Sequence, residues 1–71
     1  MELSDKVKEL VAVGASITAN CQPCLQHHVE KALGFGADPE EVKAAVEVGK
    51  RVRKGASAKM DTFCAETEVT S

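Results

Sequence analysis

The sequence predicts an all-α protein, a small helical bundle made of a helical hairpin followed by a long or kinked C-terminal helix. Apolar residues recur at steps of three and four along the 71 residues, which is the period of an α-helix. No stretch alternates apolar and polar residues, and β-branched residues do not cluster, so no strand is expected. Because the chain contains no repeat and no dividing linker, we expect one domain over residues 1–71.

The first helix is expected from Ser4 to about Asn20. Ser4 suits the N-cap, since its hydroxyl can accept a hydrogen bond from an unpaired amide, and Asp5 is favourable in the first turn. The residues of its apolar face are Leu3, Val7, Leu10, Val11, Gly14 and Ile17.

The second helix is expected from about Gln22 to Leu33. Pro23 falls in the first turn, where a helix tolerates proline, and Gly34 is well placed as the C′ residue that ends the helix. One stripe at helical spacing consists of Cys21, Cys24, Leu25, His28, Val29 and Ala32.

The third helix has the clearest start in the chain. Asp38 suits the N-cap, Pro39 suits the first helical position, and Glu41 stands at N3, where it can complete a capping box. The apolar period continues to about Ala65, and residues 66–71 are expected to fray.

The third helix is too long for a compact domain of this size. An unbroken helix to Ala65 would measure ~40 Å, whereas a compact domain of this length is roughly 29 Å across. We therefore expect either a break near Gly49 or Gly55, or a far half that packs on another subunit. Gly49 and Ala56 are expected at close contacts between helices.

Charge and composition exclude several classes of function. The net charge is −2, and no Trp or Tyr is present to stack on bases, so no nucleic acid is expected as a partner. We interpret the basic cluster over residues 50–54 as a solvated helix face, with a weak anion or partner site as the alternative. No apolar run approaches the ~20 residues of a membrane span, so no membrane partner is expected.

The polar start of the chain shows no secretory signal and favours a cytoplasmic location. In a reducing compartment, a close cysteine pair is more often catalytic or metal-binding than structural. The only aromatic residues are Phe35 and Phe63, so the core must be built from small side chains, which favours stabilisation by a homo-oligomer.

Most candidate catalytic residues lie on the stripe of the second helix that contains the two cysteines. Cys21 and Cys24 are neighbours on one helix face near its first turn, where free amides favour a thiolate. A lower thiol pKa by itself raises the rate of attack only modestly, because the nucleophilicity of the thiolate falls as the pKa falls. A base that removes the proton during attack contributes more, and His28 lies one turn after Cys24 on the same face. Glu9 on the first helix is the candidate carboxylate to orient the imidazole.

Other interpretations of these residues remain open. Cys21, Cys24, His28 and Cys64 include the ligand types of a zinc site, although Cys64 is distant and has no second ligand nearby. The cysteine pair could also be purely structural. A c-type haem is excluded, because Leu25 follows Cys24 where that motif needs histidine. We therefore expect no cofactor, with Cys64 in the core or at an interface.

The spacing Glu9-x₁₁-Cys21-x₂-Cys24-x₃-His28 resembles the signature of the carboxymuconolactone decarboxylase-like superfamily, and more narrowly of its alkylhydroperoxidase D-type branch. The glycine turn and acid-capped helix that follow are also similar, so the resemblance covers about residues 3–60. The sequence departs from the branch at Pro23, where a histidine or another polar residue is usual. Proline removes one member of the proton relay, for which His27 is a conceivable substitute.

The resemblance implies an all-helical fold that assembles as trimers or hexamers and reduces peroxides through thiols. Cys24 would attack the peroxide and become a sulfenic acid, Cys21 would condense with it, and Glu9 with His28 would relay the proton. A peroxide or disulfide is then the expected substrate and a dithiol the electron donor. Superfamily members that decarboxylate lactones lack the cysteine pair, so that reaction is not expected. The alternative is a non-catalytic oligomeric binding module with the same fold.

Overall fold

The structure is a computed structural model that describes residues 2–67. It contains three helices, α1 (Asp5–Thr18), α2 (Gln22–Gly34) and α3 (Pro39–Thr67). No strand occurs within residues 2–67, and the predicted all-α class is confirmed. Helix α1 lies against both α2 and α3, whereas α2 and α3 contact each other only slightly. The helical hairpin of α1 and α2 is therefore held on one face by the first half of α3.

The ends of α1 and α2 differ slightly from the predicted ones. Ser4 caps α1 as expected, with its hydroxyl accepting from the Val7 amide at 3.2 Å. Helix α1 ends at Thr18, and Asn20 has a φ of 57°, which a right-handed helix cannot continue. The role expected of Gly34 is wrong, because Gly34 is still helical. The left-handed turn after α2 falls instead at Gly36, whose φ is 96°.

The start of α3 is the predicted capping box. The Asp38 carboxylate accepts from the Glu41 amide at 3.0 Å, and the Glu41 carboxylate accepts from the Asp38 amide at 3.1 Å. Glu41 also forms an ion pair with Lys6 of α1 at 3.3 Å. The same side chain therefore caps α3 and ties it to the start of α1.

Two glycines let α1 and α3 approach closely. A Cβ atom added at Gly49 would lie 2.4 Å from the Gly14 carbonyl oxygen and 2.8 Å from the Ile17 Cβ. The Thr18 hydroxyl donates to the Gly49 carbonyl at 3.1 Å across the same crossing. The predicted close contact at Gly49 is thus confirmed. The small core beside it is built from buried Val13, Ala32 and Ala37, packed against Leu10, Leu25, Val29, Val42, Ala45 and Val46.

Helix α3 runs unbroken for 29 residues, so the predicted break near Gly49 or Gly55 does not occur. A single glycine costs a helix only about 1 kcal/mol, which the packed first half of α3 can offset. The predicted fraying is wrong for Glu66 and Thr67, which are helical, and residues 68–71 lie outside the described part. Ala56 is exposed, so the close contact expected there is also wrong.

The far half of α3 extends beyond the hairpin, and the molecule is 48 Å long but only 18 Å thick. Large apolar side chains on this half are open to solvent: Val52, Met60 and Phe63 are 54–61% exposed. Within residues 2–67, no helix has the combination of length and apolar character needed to cross a membrane.

Candidate active site

The two cysteines lie at the start of α2 and form a disulfide, with their Cα atoms 5.2 Å apart. This separation lies within the usual range for disulfides. Cys21 is the N-cap rather than a residue of the first turn, and its sulfur accepts from the Cys24 amide at 3.3 Å. Cys24 is exposed, whereas Cys21 is half-buried. The two sulfurs therefore differ in access and in hydrogen bonding.

A carboxylate and an imidazole meet beside this disulfide. The Oε1 atom of Glu9 on α1 lies 2.6 Å from the Nδ1 atom of His28 on α2, across a sequence separation of 19 residues. The side chains of His28 and Glu9 are 30% and 17% exposed, so the pair lies at the edge of the interface between the two helices. The packing of α1 on α2 thus brings together the two residues that the sequence spacing singled out.

The Glu9 carboxylate is held in its ionised form. The hydrogen bond with His28 is the largest cause that lowers the pKa of Glu9 below its ordinary value, and partial burial opposes it. Electrostatic attraction to His28, Lys31 and His27 lowers this pKa further. An ionised carboxylate can only accept, so Nδ1 of His28 is the donor. In the neutral imidazole, the lone pair then lies on Nε2, which is free to accept a proton.

His28 follows Cys24 by four residues on α2, so the two residues share a helix face one turn apart. Cys21 lies nearly two turns from His28. The ring of His27 packs edge-on against the ring of His28, with centroids 4.9 Å apart, and His27 itself is exposed. His27 therefore adjoins the pair from the solvent side.

A cleft of about 180 Å³ is lined by Cys21 of the disulfide but by neither Glu9 nor His28. Its lining residues are Ser16, Ile17, Asn20, Cys21, Gln22, Leu25 and Arg53. The Nη1 atom of Arg53 donates to the Ile17 carbonyl at 3.3 Å and to the Asn20 side-chain oxygen at 2.9 Å. The Ile17 carbonyl also accepts from the Asn20 amide at 3.1 Å, so Arg53 is a second donor to it at the C-terminal end of α1.

Sequence reasoning did not single out Arg53, because it lies in a basic cluster that resembles a solvated helix face. The sequence nevertheless contained an indication that Arg53 packs against α1. Arg53 follows Gly49 by four residues, so it shares the face of α3 that packs on α1. The other charged residues of the cluster, Lys50, Arg51 and Lys54, are exposed as expected.

The residues of the alternative zinc site do not form one in this structure. Cys21 and Cys24 are joined to each other, and Cys64 is a half-buried free thiol near the far end of α3. Within residues 2–67, no three histidine, cysteine, aspartate or glutamate side chains come close enough to hold a metal ion.

Comparison with known proteins shows the family of the chain. The model of the carboxymuconolactone decarboxylase family matches residues 2–63, and the chain belongs to this family. The resemblance to the alkylhydroperoxidase D-type branch is consistent with that membership. The chain is also 33% identical over 55 residues to "Uncharacterized protein 4 in cox locus" of Paracoccus denitrificans. That match covers 78% of this chain but only 50% of the relative, so the chain spans about half its length. No solved structure matches the chain.

Proposed function

We propose that the protein is a thiol-dependent oxidoreductase that reduces a peroxide or a disulfide with the Cys21–Cys24 pair. The observation that carries the proposal is the 2.6 Å contact between Glu9 and His28, one helical turn from Cys24. A carboxylate that orients an imidazole beside a thiol is the usual arrangement of an activated nucleophile.

In the first step, Nε2 of His28 takes the proton of the Cys24 thiol. The thiolate attacks one oxygen of the peroxide, the O–O bond breaks, and Cys24 becomes a sulfenic acid. The second oxygen leaves as an alcohol or as water, with the proton returned by the imidazolium. The peroxide gains two electrons and the Cys24 sulfur loses two.

In the second step, Cys21 closes the disulfide. The Cys21 thiol gives up its proton and its thiolate attacks the Cys24 sulfur. The S–O bond breaks, and the departing hydroxide takes up that proton and leaves as water. The N-cap position of Cys21 favours this thiolate, because the Cys24 amide already donates to the Cys21 sulfur. Cys24 is the more exposed of the two residues and lies one helical turn from His28, so we assign it the attack and Cys21 the condensation. An external thiol donor then returns two electrons to the disulfide.

The proton relay that we propose has two members, Glu9 and His28. Pro23 has no side-chain group that could carry a proton, so a third member before Cys24 is absent. His27 packs on His28 from the solvent side and is the candidate to pass the proton on. We expect peroxide reduction to depend on His27 less than on His28, since His27 does not contact Glu9 through a hydrogen bond.

The test is a count of free thiols in reduced protein before and after one equivalent of peroxide, with and without a zinc chelator. The proposal expects the loss of two thiols per chain, their recovery with dithiothreitol, and no effect of the chelator. A non-catalytic binding module would keep its thiols under the same conditions. One zinc per chain by elemental analysis would contradict the redox assignment.

Single cysteine variants test which cysteine attacks the peroxide and which one condenses to form the disulfide. Cys24→Ser should form no sulfenic acid, whereas Cys21→Ser should form one that a sulfenic-acid-selective reagent traps. Cys64→Ser is the matched control and should behave as the wild type, because Cys64 lies on α3 away from the pair. A label on Cys21 in Cys24→Ser, with none on Cys24 in Cys21→Ser, would reverse the assignment.

We also propose that residues 1–71 form one domain that assembles as a homo-oligomer, a hexamer or a trimer by resemblance to its family. The far half of α3 supports this proposal, because it carries exposed Met60 and Phe63 beyond the reach of the hairpin. A second subunit packed there would remove this apolar surface from water.

A further inference from the structure

We propose that the cleft beside Cys21 is the docking site of the electron donor, a small thiol that carries an anionic group. This inference rests on the proposed function, since it concerns how the Cys21–Cys24 disulfide is reduced. Its basis is that Arg53 of α3 and the disulfide-bonded Cys21 at the start of α2 line the same cleft.

The guanidinium of Arg53 has unused donors. Nη1 of Arg53 donates both of its hydrogen bonds, one to the Ile17 carbonyl in α1 and one to the Asn20 side chain just after α1. The Nη2 and Nε donors make no hydrogen bond to residues 2–67, and no carboxylate of these residues lies within 4.0 Å of the guanidinium. A guanidinium fixed at one nitrogen still offers paired donors, which match the two oxygens of a carboxylate or sulfonate. Arg53 is thus held in place but not neutralised.

The positive charge continues along α3. A second, more open groove shares Asn20 and Arg53 with the cleft, and it is also lined by Lys50, Lys54, Ser57, Ala58 and Asp61. Three cations against one carboxylate line this groove, in a chain whose net charge is −2. Lys50 is paired with Glu47 at 3.7 Å, so Arg53 and Lys54 provide most of the excess positive charge. The local excess of positive charge therefore lies where a ligand would approach the disulfide, and it favours an anion.

The walls of the cleft suit the rest of such a donor. Ile17 and Leu25 provide apolar surface for the carbon chain between the anionic group and the thiol. A volume of about 180 Å³ accommodates a small molecule rather than a folded domain. Charge and size together indicate a low-molecular-weight thiol with a carboxylate or sulfonate.

The reduction proceeds as a thiol–disulfide exchange. The donor's thiolate attacks the sulfur of Cys21, a residue that lines the cleft, and the Cys21–Cys24 bond breaks. Cys24 leaves as a thiolate beside His28, and a mixed disulfide forms on Cys21. A second donor thiolate attacks the donor sulfur of this mixed disulfide and releases the Cys21 thiolate. The protein gains two electrons, and two donor molecules become a disulfide.

The experiment compares three small thiols of similar size on the oxidised full-length protein: 2-mercaptoethanesulfonate (anionic), 2-mercaptoethanol (neutral) and cysteamine (cationic). The quantity measured is the ratio of the reduction rates with the anionic and the cationic thiol. Comparing this ratio between variants cancels the intrinsic reactivity of each thiol. We expect Arg53→Gln to lower the ratio about fivefold and Lys54→Gln about twofold, the size of exposed ion-pair effects.

Two controls keep the test specific. Arg51→Gln removes the same charge two residues away, but Arg51 lines neither the cleft nor the groove, so the ratio should stay at the wild-type value. Arg53→Lys should recover part of the ratio. At 1 M salt, where the Debye length is about 3 Å, the difference between wild type and Arg53→Gln should largely disappear. Since Arg53 also binds the end of α1, Lys54→Gln gives a variant that removes no hydrogen bond within residues 2–67.

Acid quenching during the reaction, followed by mass spectrometry, should find the mixed disulfide on Cys21. Equal ratios in wild type, Arg53→Gln and Lys54→Gln, or a mixed disulfide on Cys24, would overturn the docking site. That result differs from failure of the proposed function, in which dithiothreitol fails to reduce the disulfide or peroxide fails to re-form it. Reduction by dithiothreitol and re-oxidation by peroxide with unchanged ratios would refute only the docking site.

Discussion

Replacement of Gly49 by alanine tests the helix crossing that holds α1 on α3. The added Cβ would lie 2.4 Å from the Gly14 carbonyl oxygen, whereas such atoms normally stay roughly 3.3 Å apart. The helices would then have to separate by several tenths of an ångström or more. Neither the oxygen nor the Ile17 Cβ at 2.8 Å belongs to a flexible side chain that could move aside.

The expected loss follows from these contacts. Overpacking of this kind costs about 1–3 kcal/mol. The separation also stretches the hydrogen bond from Thr18 to the Gly49 carbonyl, at a further cost of about 1 kcal/mol. Alanine regains about 1 kcal/mol through its higher helix propensity. We therefore expect Gly49→Ala to lower the free energy of unfolding by about 2 kcal/mol, and Tm by roughly 8–16 °C.

Gly55→Ala is the matched control on the same helix. Apart from the neighbouring backbone of α3 itself, no atom of residues 2–67 lies within 4 Å of a Cβ added at Gly55, so only the gain in helix propensity remains. We expect stabilisation by about 0.5–1 kcal/mol. Urea unfolding followed by circular dichroism at one fixed protein concentration measures both variants. If Gly49→Ala is as stable as Gly55→Ala, the close crossing of α1 and α3 is incorrect.

Three further predictions concern the site and the assembly. Glu9→Gln and His28→Ala should each slow peroxide-driven thiol loss ~10²-fold or more at pH 7 in stopped-flow assays, and the His28→Ala deficit should shrink at high pH, where the thiol ionises unaided. The pKa of Glu9 is lowered in the folded protein, so the stabilisation that its carboxylate contributes should be present above the ordinary pKa of 4.5 and lost as the pH falls through the pKa of the folded state. The urea midpoints of wild type and Glu9→Gln should therefore converge in acid. A difference that stays constant with pH would contradict the assignment. Light scattering at low micromolar concentration should give a homo-oligomer that Phe63→Glu dissociates, whereas a folded monomeric wild type would refute the assembly.

The sequence by itself determined the relations that lie within one helix. Apolar residues recur at steps of three and four, which predicted the helices. The Ser4 cap and the capping box at Asp38 predicted where helices begin. The same period puts Cys21, Cys24 and His28 on one face of α2, because residues three and four apart are neighbours on any helix. These relations depend on local backbone geometry, so no knowledge of the tertiary structure was needed to predict them.

The tertiary structure alone decided the relations between helices. Glu9 was selected by its spacing, but its 2.6 Å contact with His28 depends on how α1 is rotated against α2. The direction of Arg53 towards the end of α1 was likewise not predicted. The sequence left open whether α3 breaks near Gly49 or Gly55 or continues towards another subunit, and the helix is continuous. A glycine in a helical sequence can mark a break in the helix or a close contact with another helix. The residues that pack against it determine which of the two occurs. At Gly49 a backbone oxygen of α1 occupies the space of the missing side chain, and this contact is visible only when the helices are packed.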